Sequence, residues 1–240
     1  MIGIVASRAR LYGYGFPAPA NTYTTTFPAI ENPMSDGGVW INGADSFGTP
    51  VQVSAAGKVH GTQTGSPPPY DDSQAWLVQN YTTNQEVEIT VAKANSSGPN
   101  KEVECILHAT IVPQFTATYG DTKTDCYELN WNQAGDYLIL GRYKMEEIDR
   151  IASPPSPANG DRLRVRVTQN GANLDFRCWI NDVAKNWTGS GTDVVTYTGN
   201  LTHPSGNAFA PGRHPGIGFY RDGGAANNEF WATQFIAREV

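Results

Sequence analysis

Residues Gly160 to Asp182 read GDRLRVRVTQNGANLDFRCWIND. Leu163, Val165 and Val167 alternate with Arg162, Arg164 and Arg166. After Asn170-Gly171, Leu174, Phe176, Cys178 and Ile180 alternate with Asp175, Arg177, Trp179 and Asn181. Successive side chains of a strand point to opposite faces, so strict alternation on both sides of a turn pair describes a β-hairpin with one apolar face. Asn-Gly tolerates the positive φ angles of a tight hairpin turn, which places the turn at those two residues. The apolar face requires a second layer to pack on, and the face carrying the arginines and Trp179 meets water or a ligand.

Working outward, the 240 residues contain few helix-length apolar stripes and many Thr, Val, Tyr, Gly and Pro, the composition of a single all-β domain. Strand-like runs are Tyr23 to Ile30, Val39 to Ile41, Val51 to Val53, Ala75 to Asn80, Glu86 to Lys93, Glu102 to Val112, Thr124 to Trp131 and Tyr137 to Lys144. After the hairpin come Asp193 to Tyr197, Gly216 to Tyr220 and Phe230 to Ala237. So many short strands predict a sandwich or barrel. The Pro-rich stretches Ser66 to Tyr70 and Ser153 to Pro157 read as loops with locked φ angles. Residues 1–26 read as an extended N-terminal arm, suited to docking on a neighbour or a second copy, and residues 27–240 as the sandwich domain.

A formal net charge of −6 and a pI near 5.2 leave no basic footprint, which argues against nucleic acid as a partner. Met1 to Ala6 is too short for the core of a signal peptide, and no run is long enough to span a membrane. Cytoplasmic synthesis is therefore expected. Of the three cysteines, Cys105 falls on the apolar side of its run and Cys178 between Phe176 and Ile180, so both read as small reduced core residues. Cys126 is open to pairing with one of them, and no Cys/His spacing suggests a metal. The sequons at Asn80, Asn95, Asn186 and Asn200 matter only in a secretory pathway.

The order of features from about Phe27 onward resembles the concanavalin A-like jelly roll of legume lectins, laminin-G-like modules and laminarinase-type hydrolases. The matching elements are Trp40 after a Gly pair, Glu86-Val87-Glu88-Ile89-Thr90-Val91, and Tyr127 to Trp131 followed by Tyr137 to Leu140. The hairpin and Pro215-Gly216-Ile217-Gly218-Phe219 complete the order. The resemblance implies an all-β, two-sheet antiparallel jelly-roll sandwich and a glycan-binding activity.

Laminarinase-like enzymes carry Glu-x-Asp-x-x-Glu on one strand face, so that the carboxylates stand at a separation suited to retention. Glu147-Ile148-Asp149 begins that pattern, but Ala152 stands where the second glutamate belongs, so the stretch reads as a charged surface turn. Tyr137 to Met145 has the Tyr, Gly and Tyr spacing of an alginate-lyase strand, but Ile139 and Met145 replace the Lys and Gln needed. His60, His108, His203 and His214 have no nucleophile motif beside them. A non-catalytic protein is expected. The enzymatic alternative, a polysaccharide hydrolase or lyase, would use Glu128 or Glu147.

If Val103, Cys105, Leu107, Ala109 and Ile111 face the core, then Glu104, Ile106, His108 and Thr110 face outward. Glu128 and Asn130 oppose Tyr127, Leu129 and Trp131, and Arg142 and Lys144 project away from Tyr143. Carboxylates, amides and cations of this kind hold sugar hydroxyls while aromatic rings stack on the pyranose face. The candidate carbohydrate-binding residues are therefore Glu104, His108, Glu128, Asn130, Arg142, Arg177, Trp179 and Trp187. Trp40, Trp76, Trp131 and Trp231 read as core or sheet-edge residues. Calcium accompanies this fold in many relatives, and Asp71-Asp72 and Asp222-Gly223-Gly224 offer oxygens without a complete loop motif, so no cofactor is expected, with Ca2+ as the open alternative. The functional expectation is a lectin-like sandwich that binds a glycan or a neighbouring protein surface, exposed on a virion or outside a cell. A phage head or tail decoration protein without glycan binding is the structural alternative.

Overall fold

The structure is a computed structural model describing residues 21–43, 48–62, 72–93, 101–109, 126–132, 138–142, 146–151, 153–198, 213–221 and 230–240. Its strands are β1 (Thr22–Thr25), β2 (Trp40–Asn42), β3 (Gly48–Thr49), β4 (Val51–Ala55), β5 (Lys58–Gly61), β6 (Asp72–Leu77), β7 (Gln85–Lys93), β8 (Lys101–Ala109) and β9 (Tyr127–Asn132). They continue as β10 (Leu138–Arg142), β11 (Glu146–Ile151), β12 (Arg162–Asn170), β13 (Asn173–Ile180), β14 (Val183–Ala184), β15 (Val195–Tyr197), β16 (His214–Arg221) and β17 (Phe230–Glu239). No helix occurs among the described residues, and none is therefore long and apolar enough to cross a membrane.

The strands form two sheets. A nine-stranded sheet runs β14-β13-β12-β7-β17-β5-β4, with β1 added beside β17 and β15 beside β13. An eight-stranded sheet runs β11-β10-β9-β8-β16-β6-β2, with β3 beside β6 in parallel. The other pairings are antiparallel, so the expected two-layer sandwich is present. Its core forms where Leu163, Val165, Val167, Phe176, Cys178 and Ile180 of the hairpin meet Cys105, Leu107, Leu129 and Trp131 of the opposite sheet. These ten side chains are almost fully buried. Full burial of a side chain of this size is worth about 1.5–3 kcal/mol, which is why the alternation determines which face turns inward.

Local chemistry shifts several boundaries. The hairpin pairs Asn170 with Asn173, so Gly171 and Ala172 are the central turn residues rather than Asn170 and Gly171. Gly171 takes φ +62°, the first-position requirement of a type II′ turn, which relieves Asn170 of any positive φ. β1 stops at Thr25 instead of reaching Ile30, because Phe27 turns to φ +52° and its carbonyl accepts from Gly57 N at 2.8 Å. β5, unread in the sequence, pairs with β4 through a turn at Gly57, φ +71°. Glu147-Ile148-Asp149 lies within strand β11 rather than in a surface turn. Thr22–Thr25, at the end of the stretch read as an arm, pairs with Phe235 to Arg238 of β17; residues 1–20 lie outside the described residues. Cys105, Cys126 and Cys178 are all free and buried, so the opening left for a Cys126 bridge closes. Burial raises the thiol pKa of Cys105 and Cys178 well above its ordinary value.

Candidate functional site

The strand register of the eight-stranded sheet sorts its polar residues into rows on the face opposite the core. One row runs Gln74, Gly218, Glu104, Asn130 across β6, β16, β8 and β9. The adjoining row runs Trp76, Gly216, Ile106, Glu128 on the same four strands. A third holds Tyr220, Glu102 and Asn132. The expectation that Glu104, Glu128 and Asn130 share one face is therefore met.

One contact spans the face. Gln74 Nε2 donates to Glu128 Oε1 at 2.7 Å, although β16 and β8 run between their strands. Strands stand about 4.8 Å apart, so three intervals span about 14 Å on a flat sheet. Two long side chains extended toward each other cover most of that interval, so the contact requires the ground between them to be clear. Gly216 and Gly218 clear it. A Cβ on Gly218 would collide with Glu104 Oε2, and one on Gly216 would lie 2.8 Å from Trp76 Cδ1. The Trp76 ring and the Glu104 carboxylate thus lie across a strip of bare backbone on β16, the close approach that glycine inside a strand permits.

The floor is polar and enclosed. Gln74, Glu102, Glu104, Glu128 and Asn132 are buried although they face away from the core, and Asn130 is half-buried. Glu128 Oε1 also accepts from Cys126 Sγ at 3.5 Å. Trp76, Ile106, Ala109 and Cys126 form a second apolar cluster on this side, with Ile41 packed against it. Trp76, expected in the core or at a sheet edge, is buried in this second cluster rather than in the main one.

The other sequence candidates lie elsewhere. Arg177 and Trp179 stand on the outer face of the nine-stranded sheet, so the whole core separates them from Glu104 and Glu128. There Arg164 lies over the Trp179 ring at 4.6 Å and Arg166 at 5.3 Å, while Arg177 faces Asp193 at 3.7 Å. Glu86, buried between β12 and β17, accepts from Arg166 Nε at 2.8 Å and from Arg238 Nη1. Trp231 on the same side carries Lys58 at 4.2 Å. Trp187, expected in an exposed loop, is buried in the main core. Its loop is pulled inward by Gly189 N donating to Asp149 Oδ1 at 2.9 Å and Thr188 N to Arg150 O at 2.7 Å.

His108 also departs from the expected outward row. Its φ of +54° breaks the alternation of β8 and turns the ring toward the end of the core, edge-on to Tyr127 with centroids 5.9 Å apart. Burial holds its pKa down, to about 4. Burial likewise lowers the pKa of His60 and of His214. Arg142 pairs through its backbone with Tyr127 and Glu146; its side chain, Lys144, Thr110, Asp71, the side chain of Asp72, and Asp222 to Gly224 lie outside the described residues. Among the described residues no three His, Cys, Asp or Glu side chains converge as metal ligands. Glu147 is exposed and ion-paired with Arg150 at 2.5 Å on the edge strand.

Gln74, Trp76, Glu102, Asn132 and Tyr220 were not singled out by sequence. The available signal was Gly216-Ile217-Gly218, two glycines on one face of a strand, which marks a surface that something closely approaches.

This all-β architecture of two packed, largely antiparallel sheets is that of the concanavalin A-like jelly-roll fold. Among solved structures the chain is similar to the carbohydrate recognition domain of Emp47p, at 11% identity and TM-score 0.55, covering 94% of this chain and 99% of that one. It is similar also to the metal-free carbohydrate recognition domain of Emp46p, at 10% identity and TM-score 0.53, covering 90% and 96%. The metal-free exoplasmic/lumenal domain of VIP36 matches at 10% identity and TM-score 0.51, covering 91% of each chain. No family model matches the chain, and no curated protein matches it in sequence.

Proposed function

We propose that the protein is a non-catalytic, lectin-like module whose glycan-binding surface is the polar outer face of the eight-stranded sheet. The observation that carries this reading is the Gln74–Glu128 hydrogen bond at 2.7 Å across two intervening strands. It marks a floor on which carboxylates and amides converge, backed by the buried Trp76 indole. Carboxylate and amide oxygens accept from sugar hydroxyls, and amide N–H groups donate to them. The carbohydrate recognition domains that share the fold support the ligand class. Calorimetric titration with a panel of oligosaccharides tests the reading. Binding that Glu128→Gln weakens at least tenfold and Trp179→Ala leaves unchanged supports it; absence of binding across the panel counts against it.

We further propose an exposed setting, on a virion or outside a cell, in which the same sandwich docks on a neighbouring surface. A phage decoration protein without glycan binding is the second reading. One observation favours it: Asn21, just ahead of β1, is stitched to β17 by Glu239. The Glu239 carboxylate accepts from Asn21 N at 2.9 Å and Asn21 Nδ2 at 3.0 Å, which anchors the start of the described chain. Light scattering separates the readings, since an assembly dissolved by deleting residues 1–20 supports decoration and a monomer opposes it.

A further inference from the structure

At one end of the sandwich polar bonds join the two sheets beside the packing of Tyr127 on Phe176 and Tyr197. Gln85 at the start of β7, in the nine-stranded sheet, is fully buried. Its Oε1 accepts from His108 N of β8 at 3.2 Å, and its Nε2 donates to Arg213 O, just before β16, at 3.0 Å. Both of those partners belong to the eight-stranded side. The His108 ring completes the join, with Nε2 at 2.7 Å from Thr83 O. A carbonyl only accepts, so Nε2 carries the proton and Nδ1 of the neutral ring is bare. His108 Nδ1 is buried and has no hydrogen-bond partner among the described residues.

The charged and titratable groups described around this ring are few. Tyr127 of β9 meets it edge-on, and the Arg213 charge ahead of β16 disfavours a second positive charge there. His214, next in sequence, accepts from or donates to Leu77 O through Nδ1 at 2.8 Å, depending on tautomer. β8 and β16 also change register here, between His214 and Gly216. The backbone ladder is therefore interrupted beside the polar join.

We propose that His108 is an acid-sensitive bolt between the two sheets: a second proton, arriving on a nitrogen that has no acceptor among the described residues, opens this end of the sandwich while the rest stays folded. The opening frees Thr82 to Gln85 and the Leu107–Ala109 end of β8 from each other. The ring's depressed proton affinity agrees with this direction. Closed, the ring titrates at about 4 against 6.5 when released, so the open form gains about 30-fold in population between pH 8 and pH 5. The bolt acts at the sandwich end and is independent of the proposed glycan face.

Hydrogen exchange of the full chain at pH 7.5 and pH 5, corrected for intrinsic rates, reads the opening by segment. Protection over residues 82–85 and 107–109 is expected to fall about 30-fold in the wild type and to stay level in His108→Gln, whose amide can still donate to Thr83 O. An equal fall in His108→Gln, no fall in the wild type, or a fall spread evenly over all strands would each overturn the proposal. Should His108→Gln fold poorly, NMR titration of the wild-type imidazole decides: a His108 that protonates above pH 6 in the folded protein rules the bolt out.

Discussion

Gln74 and Glu128 touch across the width of four strands, joined at 2.7 Å over a strip of β16 where two glycines present no side chain. Their backbones would stand about 14 Å apart on a flat sheet, so both side chains lie extended along the face to meet. That meeting depends on small residues placed beneath long polar ones.

Gly218→Val tests that dependence. A branched side chain at 218 meets the Glu104 carboxylate, and overpacking of this kind costs about 1–3 kcal/mol. Urea denaturation should show a lower midpoint, and the Gln74–Glu128 contact should be lost in a crystal structure of the variant. A variant with unchanged stability and an intact contact would contradict the account.

The two faces of the hairpin should respond very differently to truncation. Phe176→Ala removes a ring that packs on Tyr127 with centroids 5.0 Å apart and should cost about 3–5 kcal/mol. Trp179→Ala removes a half-exposed ring stacked on Arg164 and should cost no more than about 1 kcal/mol of stacking energy. Equal destabilisation of the two variants in guanidinium titrations would mean that the faces have been assigned wrongly.

Glu86 on the outer face of the nine-stranded sheet holds two arginines, and Arg166 and Arg238 are each about one-third exposed. Solvent screening therefore reduces the loss from the 3–5 kcal/mol typical of a broken buried pair to about 1–3 kcal/mol for Glu86→Ala. Raising the salt to 1 M should shrink the difference between wild type and variant, because the partly exposed guanidiniums are screened. A difference that does not respond to salt would point to packing instead of charge.

Global stability should fall on acidification below pH 6.5. His60, His108 and His214 are all held below their ordinary pKa in the folded chain. The unfolded chain then binds more protons than the folded one between pH 6.5 and the folded values, so unfolding is favoured as pH drops through that window. His108 alone should contribute about 2 kcal/mol of loss at pH 5. Denaturant midpoints measured from pH 8 to pH 5 check this, and a flat profile would refute the burial of these rings.

Much of the fold could be read directly from period-two alternation. Leu163 to Ile180 and Val103 to Leu107 turn inward as their spacing requires, because a single register step would expose the whole apolar set. Short strands such as Lys58–Gly61 carry too few residues for alternation to register, and β11 is masked by its own charges, Glu147, Asp149 and Arg150. The candidate site was legible only in part. Glu104, Glu128 and Asn130 were placed together correctly, whereas His108 was lost to a single left-handed φ that breaks parity. Trp187 was misplaced because the loop hydrogen bonds that draw it inward depend on Asp149, far away in sequence. Arg177 and Trp179 obey their alternation, but alternation cannot say which of two sheets a strand joins, and they face the opposite side of the molecule.

The most direct test is isothermal titration of the wild type, Glu128→Gln and Trp179→Ala with the same neutral oligosaccharide. Saccharide binding by the wild type and by Trp179→Ala, weakened at least tenfold in Glu128→Gln, is the predicted result. Binding that survives Glu128→Gln but is lost in Trp179→Ala would move the site to the nine-stranded sheet and contradict the central claim.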